Sequence, residues 1–183
     1  MNCFSNVYES GQWVHFLTAS PGEASLLCRT LSSYFTPDEG SISWKTREVF
    51  SEPGWYRSQL LSFNSEQDLF ARLTVGDNLR LYADFFSVES TVDKKILGPV
   101  DQEEYVCYLD SYQITRLKLS IFNFISRPLF FYSNPFARLN PEQRSSAVEI
   151  FEKIPLSETL MITTGTVPVE KAHVMETVSG AGK

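Results

Sequence analysis

Leu129-Phe130-Phe131-Tyr132 is an unbroken apolar run of strand-forming residues, and it restricts the fold more than any other stretch of the chain. Such a run has no polar face to turn to water. It must be covered on both sides, as in parallel sheets sandwiched between helices. Neighbouring segments agree: Trp13 to Leu17, Gln59 to Phe63 and Thr159 to Thr164 read as strands, with a short one at Ser41 to Trp44.

Helical patterns lie between them. Ala24 to Tyr34 carries Leu26, Leu27 and Leu31 at helical spacing. Thr74 to Phe86 opens with Thr74 as cap and Asp77 three residues on, a capping-box arrangement. Gln102 to Leu109 reads as a short helix and Ser111 to Ser126 as a markedly apolar one. Asn140-Pro141 starts a helix to about Lys153, with proline at its first position. Pro37, Gly40, Pro53-Gly54 and Gly98-Pro99 punctuate the chain. Alternating strands and helices predict an α/β fold, a mostly parallel sheet flanked by helices, in one domain over residues 1–183.

A chain of 183 residues with 43% hydrophobic and 14% aromatic residues can bury one good core. Its net charge of −6 supplies no basic stripe, which argues against nucleic acid as a partner. Cys3, Cys28 and Cys107 form no C-x-x-C pair, and His15 and His173 read as strand or surface residues, so no metal and no cofactor are expected. Glu66 and Asp68 read as a solvated loop, and Asp101-Glu103-Glu104 as a charged helix face. No apolar run reaches the roughly 18 residues that span a bilayer. Met1 to Gln12 has neither the basic flank of a signal peptide nor the arginines of a transit peptide, so a soluble chain is expected.

The order of the punctuation carries a resemblance. Gly11-Gln12-Trp13-Val14 leads into Thr18-Ala19-Ser20-Pro21-Gly22-Glu23-Ala24-Ser25, followed by Pro37-Asp38-Glu39-Gly40-Ser41-Ile42. Leu73-Thr74-Val75-Gly76-Asp77-Asn78-Leu79, Pro128 to Pro135, Leu139-Asn140-Pro141 and Leu160 to Gly165 come next. In this order, over about residues 7–178, the words resemble those of ATP-binding cassette (ABC) ATPases: strand entry, phosphate loop, Pro-x-x-Gly-x-Ile turn, post-Q-loop helix, Walker B strand, D-loop and switch strand. Gly40 to Trp44 and Pro135-Phe136 resemble the haem-exporter ATPase subunit of cytochrome c maturation (CcmA). The resemblance implies a P-loop NTPase-like sheet, with a truncated N-terminal β region and a reduced helical subdomain at about 74–126.

Against that family, the residues that hold nucleotide are missing. A phosphate loop works because glycines let backbone N–H groups converge on phosphate, while a lysine reaches the outer phosphates and a hydroxyl holds Mg²⁺. Here Thr18 and Glu23 stand in the two glycine positions and Ala24 in the lysine position; only Ser25 keeps its type. Pro21 removes a further N–H. Ser133 replaces the Mg²⁺-supporting aspartate, Asn134 the catalytic glutamate, Gly165 the switch histidine, and Ser65 falls near the Q-loop glutamine. Leu109-Asp110-Ser111-Tyr112-Gln113 aligns with the signature and puts Tyr112 where a bare glycine is needed. A like charge about 4 Å from phosphate costs about 4 kcal/mol at an effective dielectric near 20.

The resemblance therefore implies a catalytically inactive ABC-ATPase-like subunit with a vestigial site. It would serve as a structural or assembly component of a membrane protein complex. Its partners would be a membrane-embedded permease-like subunit, a second ABC-like chain, or both. Two alternatives are the non-hydrolysing half of a heterodimeric haem-exporter-type transporter, and a nucleotide-binding enzyme of atypical geometry. Phe63, Leu69, Phe70 and Leu73, beside the groove where ABC ATPases receive the coupling helix of their membrane subunit, are the docking anchors this reading selects. The expected location is peripheral, on the inner face of an energy-transducing membrane: the matrix side of the mitochondrial inner membrane, or the bacterial cytoplasmic side.

Overall fold

The structure is a computed structural model that describes residues 6–64, 68–154 and 156–178. The chain divides into two compact units: Met1–Asn64, Arg127–Ala137 and Leu156–Lys183 make the first, Ser65–Ser126 and Arg138–Pro155 the second.

The first unit is built on five parallel strands: β1 (Trp13–Leu17), β4 (Leu60–Phe63), β5 (Leu129–Ser133), β6 (Leu160–Gly165) and β7 (Val174–Thr177), in the order β4-β5-β6-β1-β7. Every residue of β5 and β6 is buried, as the apolar run requires. Alternation along each strand sorts the side chains by face. Val14, Phe16, Leu129, Phe131, Leu160 and Ile162 cluster with Cys28 of α1 (Pro21–Leu31) and Tyr56 of α2 (Pro53–Ser58). On the other face Phe63 meets Phe130 and Tyr132 edge-on, and Trp13 and His15 lie against Phe136. Each of the phenylalanine rings, fully buried, contributes about 1.5–3 kcal/mol. A small hairpin joins β2 (Ser43–Trp44) to β3 (Arg47–Glu48) through Lys45 and Thr46, both at positive φ.

The second unit holds α3 (Val75–Phe86), α4 (Lys94–Leu97), α5 (Ser111–Ile125) and α6 (Pro141–Lys153). Thr74 caps α3 by accepting from the Asp77 amide, as the sequence predicts. Asn78, fully buried, accepts from the Phe70 amide and donates to the Phe70 and Thr74 carbonyls, fixing the approach to the helix. Segment 102–107 runs antiparallel beside 71–76, through bonds from Val75 to Glu104, Gly76 to Gln102, Val106 to Leu73 and Cys107 to Ala71. Helix α5 is capped by Asp110 with Gln113 reaching back, and α6 by Asn140 with Gln143 in the same arrangement.

Several boundaries differ from the sequence reading. Helix α1 starts at Pro21 and not Ala24, because Ser20 caps it and proline fits a first turn that needs no N–H there. The stretch 102–109 is a turn, an isolated bridge from Tyr105 to Thr74 and a 3-10 helix at Val106–Tyr108, since its carbonyls and amides bond to 71–76 and not along a helix of its own. Pro53-Gly54 opens α2 instead of breaking the chain. The helical unit exceeds 74–126, because α6 packs on α5 and belongs with it. Among the described residues, no helix is long and apolar enough to cross a membrane.

Candidate functional site

The register of the sheet assembles the site. Leu17 pairs with Gly165 and Ser133 with Thr164, so the carboxyl ends of β1, β5 and β6 lie side by side where α1 begins. That end of a parallel sheet is where α/β folds place their ligands. Thr18, Glu23, Ala24, Ser25, Ser133, Asn134 and Gly165 all gather here, within the first unit. Ser65 and Glu66 lie outside the described residues.

The loop is closed by its own side chains. Ser20 Oγ accepts from the Glu23 amide at 3.2 Å, and Glu23 turns its carboxylate back to accept from the Ala19 amide at 3.0 Å. The Ala19 N–H, in the loop just ahead of the Ser20 cap, is thereby already held by an internal anion, while the first turn of α1 is capped by a hydroxyl. Thr18 is buried; its amide donates to the Gly165 carbonyl at 2.9 Å and its hydroxyl lies within reach of the Ser20 and Gly165 carbonyls. Ala24 is fully buried, and its carbonyl accepts from Thr164 Oγ1 at 2.9 Å.

The other side of the site is tied in the same way. Ser25 Oγ and Ser133 Oγ stand 3.3 Å apart. Asn134 Nδ2 lies 3.0 Å from Ser133 Oγ, 3.1 Å from the Pro21 carbonyl and 3.4 Å from Ser25 Oγ. Asn134 sits at φ 54°, a left-handed conformation that asparagine tolerates. A β-carbon on Gly165 would lie 3.6 Å from His15 Cε1 and 3.8 Å from Asn134 Oδ1, ordinary contacts, so sterics at that first atom do not demand glycine. The network consists of hydroxyls, amides and one carboxylate, with no cation among the bonds that define it. It can accept and donate within itself, but it presents no positive charge to a polyanion.

Next to it, buried His15 has Nδ1 2.8 Å from Thr163 Oγ1, which also accepts from Trp13 Nε1 at 2.9 Å. Nε2 makes no well-formed hydrogen bond. Burial pushes the imidazole pKa down to about 4, and the Val167 carbonyl offsets only part of that cost. Two lone histidines in sequence gave no sign that one would become a neutral core group.

The candidate docking anchors divide sharply. Phe63 is fully buried against Phe130 and Tyr132, and Leu69 is buried too, so neither offers surface to a partner; both are core residues. Leu73 is half-buried and its carbonyl accepts from the Val106 amide. Phe70 alone of the four is well exposed, at 54%. Asp68, read as a solvated loop acid, instead faces the buried ammonium of Lys118 at 3.5 Å. Tyr112 lies under the guanidinium of Arg116, which donates to its hydroxyl. Among the described residues no group of three or more His, Cys, Asp or Glu side chains could hold a metal ion.

No protein-family model matches the sequence, and no curated protein matches it. Solved structures do. A putative ABC transporter ATP-binding protein from Pyrococcus furiosus superposes with a TM-score of 0.78 at 16% identity, covering 92% of this chain and 85% of its own. An ATP-binding subunit of an ABC transporter superposes with a TM-score of 0.64 at 17% identity, covering 85% of this chain and 69% of its own. These likenesses establish the architecture: the chain has the α/β fold, a five-stranded parallel sheet flanked by helices, seen in ABC transporter ATP-binding subunits.

Proposed function

We propose that this chain is a non-hydrolysing ABC-ATPase-like subunit that works by binding protein partners in a membrane complex. The observation that carries this reading is the Glu23 carboxylate on the Ala19 amide, beside a buried Ala24 in the lysine position. A nucleotide would have to displace an internal anion, then remain next to it with no lysine from this loop to offset the repulsion. Asp110 reinforces the point: its carboxylate caps α5, the helix whose start, by resemblance, faces a partner's nucleotide. A carboxylate of this chain therefore holds the loop amide just ahead of α1, and another caps α5.

The subunit's role is then structural or assembly-related, paired with a permease-like membrane subunit or a second ABC-like chain. Its place is peripheral, on the matrix side of the mitochondrial inner membrane or the cytoplasmic side of a bacterial one. The words Gly40 to Trp44 and Pro135-Phe136 favour a haem-exporter-type complex, in which this chain is the non-hydrolysing half of a heterodimer.

Affinity purification of the tagged chain from detergent-solubilised membranes tests the proposal. A stoichiometric membrane protein, or a second cassette chain, is the expected companion. Recovery of the chain alone, as a stable monomer, would contradict it. A companion with intact Walker motifs would select the heterodimer.

A further inference from the structure

Two buried polar atoms at the carboxyl end of the sheet have no hydrogen-bond partner among the described residues: His15 Nε2 and Asn134 Oδ1. They flank one point. A β-carbon on Gly165 would stand 3.6 Å from His15 Cε1, the ring atom bonded to Nε2, and 3.8 Å from Asn134 Oδ1. Gly165 is buried as the last residue of β6, and both polar atoms are sealed from bulk water. A bare donor beside a bare acceptor is an arrangement that native interiors seldom leave unbridged.

The surrounding hydrogen bonds fix what each atom is. Trp13 Nε1 can only donate, so Thr163 Oγ1 accepts from it at 2.9 Å. The Thr163 hydroxyl has a single hydrogen of its own, and His15 Nδ1 at 2.8 Å is the acceptor in place for it. Nδ1 is therefore unprotonated, and the neutral ring carries its proton on Nε2. Asn134 is fixed as firmly. Its Nδ2 faces the Pro21 carbonyl at 3.1 Å, which can only accept, so the amide cannot be turned over and Oδ1 is the atom on the Gly165 side. A donor and an acceptor thus look onto the same position. The Val167 carbonyl, which favours a proton on the His15 ring, is at hand as a second acceptor.

We propose that the space beside Gly165 is a binding site for one internal water, which accepts from His15 Nε2–H and donates to Asn134 Oδ1 and the Val167 carbonyl. Three bonds are the usual complement of a buried water. A carbon at the β position would make only ordinary contacts, so an atom of that size fits. The water takes the place of the side chain that residue 165 lacks, and ties β1, through His15, to Asn134 just past β5. The site does not depend on what the chain binds elsewhere and stands with or without a nucleotide or a protein partner.

Nitrogen chemical shifts of the isotope-labelled full chain near neutral pH read the tautomer without any substitution. The Nε2–H form is expected for His15, and an Nδ1–H form would overturn the proposal. The same sample should show cross-relaxation between His15 Hε1 and a long-lived water; its absence would overturn the proposal too. Substitution gives a second reading, in stability. Gly165 does not sit at positive φ, so the backbone admits alanine and serine alike. Gly165→Ala fills the space and leaves both polar atoms bare, whereas Gly165→Ser supplies a hydroxyl that can stand in for the water. A buried hydroxyl without partners costs stability relative to a methyl group, so the sign of the difference is diagnostic. The serine variant is expected to melt about 2–4 °C or more above the alanine variant, and both should lose the water signal. A serine variant melting at or below the alanine variant would sink the idea. If neither variant folds, the tautomer and the water signal of the unsubstituted chain still decide the matter.

Discussion

Asp68→Asn is expected to destabilise the chain by up to about 3–5 kcal/mol, the range for breaking a buried ion pair. Lys118 Nζ lies 3.5 Å from Asp68 Oδ2, and its side chain is only 4% exposed against 20% for the aspartate. Neutralising the carboxylate removes the negative charge that faces this buried ammonium on α5. Lys118→Met should cost less, because the aspartate it leaves behind is nearer the surface and can be rehydrated. The double variant Asp68→Asn/Lys118→Met should recover most of the loss, since similar volume without charge is often neutral in such sites. Urea unfolding monitored by circular dichroism checks all three. An Asp68→Asn variant within about 1 kcal/mol of the original would mean that Asp68 is not the charge that holds the ammonium in place.

The second large effect is an acid-dependent loss of stability centred on His15. Its folded pKa is about 4, against an ordinary value near 6.5, so the unfolded chain binds the proton more readily. Stability from the neutral imidazole is fully present above about pH 6.5 and is lost as pH falls through that value towards 4. At pH 5 the loss is about 2 kcal/mol, or about 4–8 °C in thermal midpoint for a chain of this length. Thr163 and Phe136 are its close neighbours, and among the described residues no carboxylate is hydrogen-bonded to it to stabilise the charged form. His15→Gln should lower stability at pH 7 but flatten the slope between pH 7 and 5 by that amount. Midpoints recorded for both proteins across the window decide it, and parallel curves would remove His15 as the cause.

Much of the fold was legible because its strongest signals are local. The uninterrupted Leu129–Tyr132 run could only be a strand covered on both faces, and Asn140-Pro141 could hardly be anything but a helix start. The strand β7 was not legible. Val174–Thr177 alternates half-buried with exposed residues at the sheet's edge, where little apolar patterning is required. The positions of Thr18, Glu23, Ala24, Ser25, Ser133, Asn134 and Gly165 in one site followed from the order of motifs. What Glu23 does there did not, because the turn of its carboxylate towards the Ala19 amide depends on backbone geometry. Phe63 and Phe70 look alike in sequence, yet one closes the core and the other stands in solvent. Apolar character marks a residue that can anchor a partner or a core, and only packing separates the two.

The same packing gives the protein its proposed character. Hydroxyls of Thr18, Ser25 and Ser133 and the Nδ2 of Asn134 bond to one another and to the loop carbonyls, while the buried Asn134 Oδ1 has no partner among the described residues.

Isothermal titration of the purified chain with Mg-ATP tests this most directly. The account predicts no saturable heat up to millimolar nucleotide, and none for Mg-ADP. Saturable binding of Mg-ATP, lost when Ser25 is changed to tyrosine to block the loop, would contradict it.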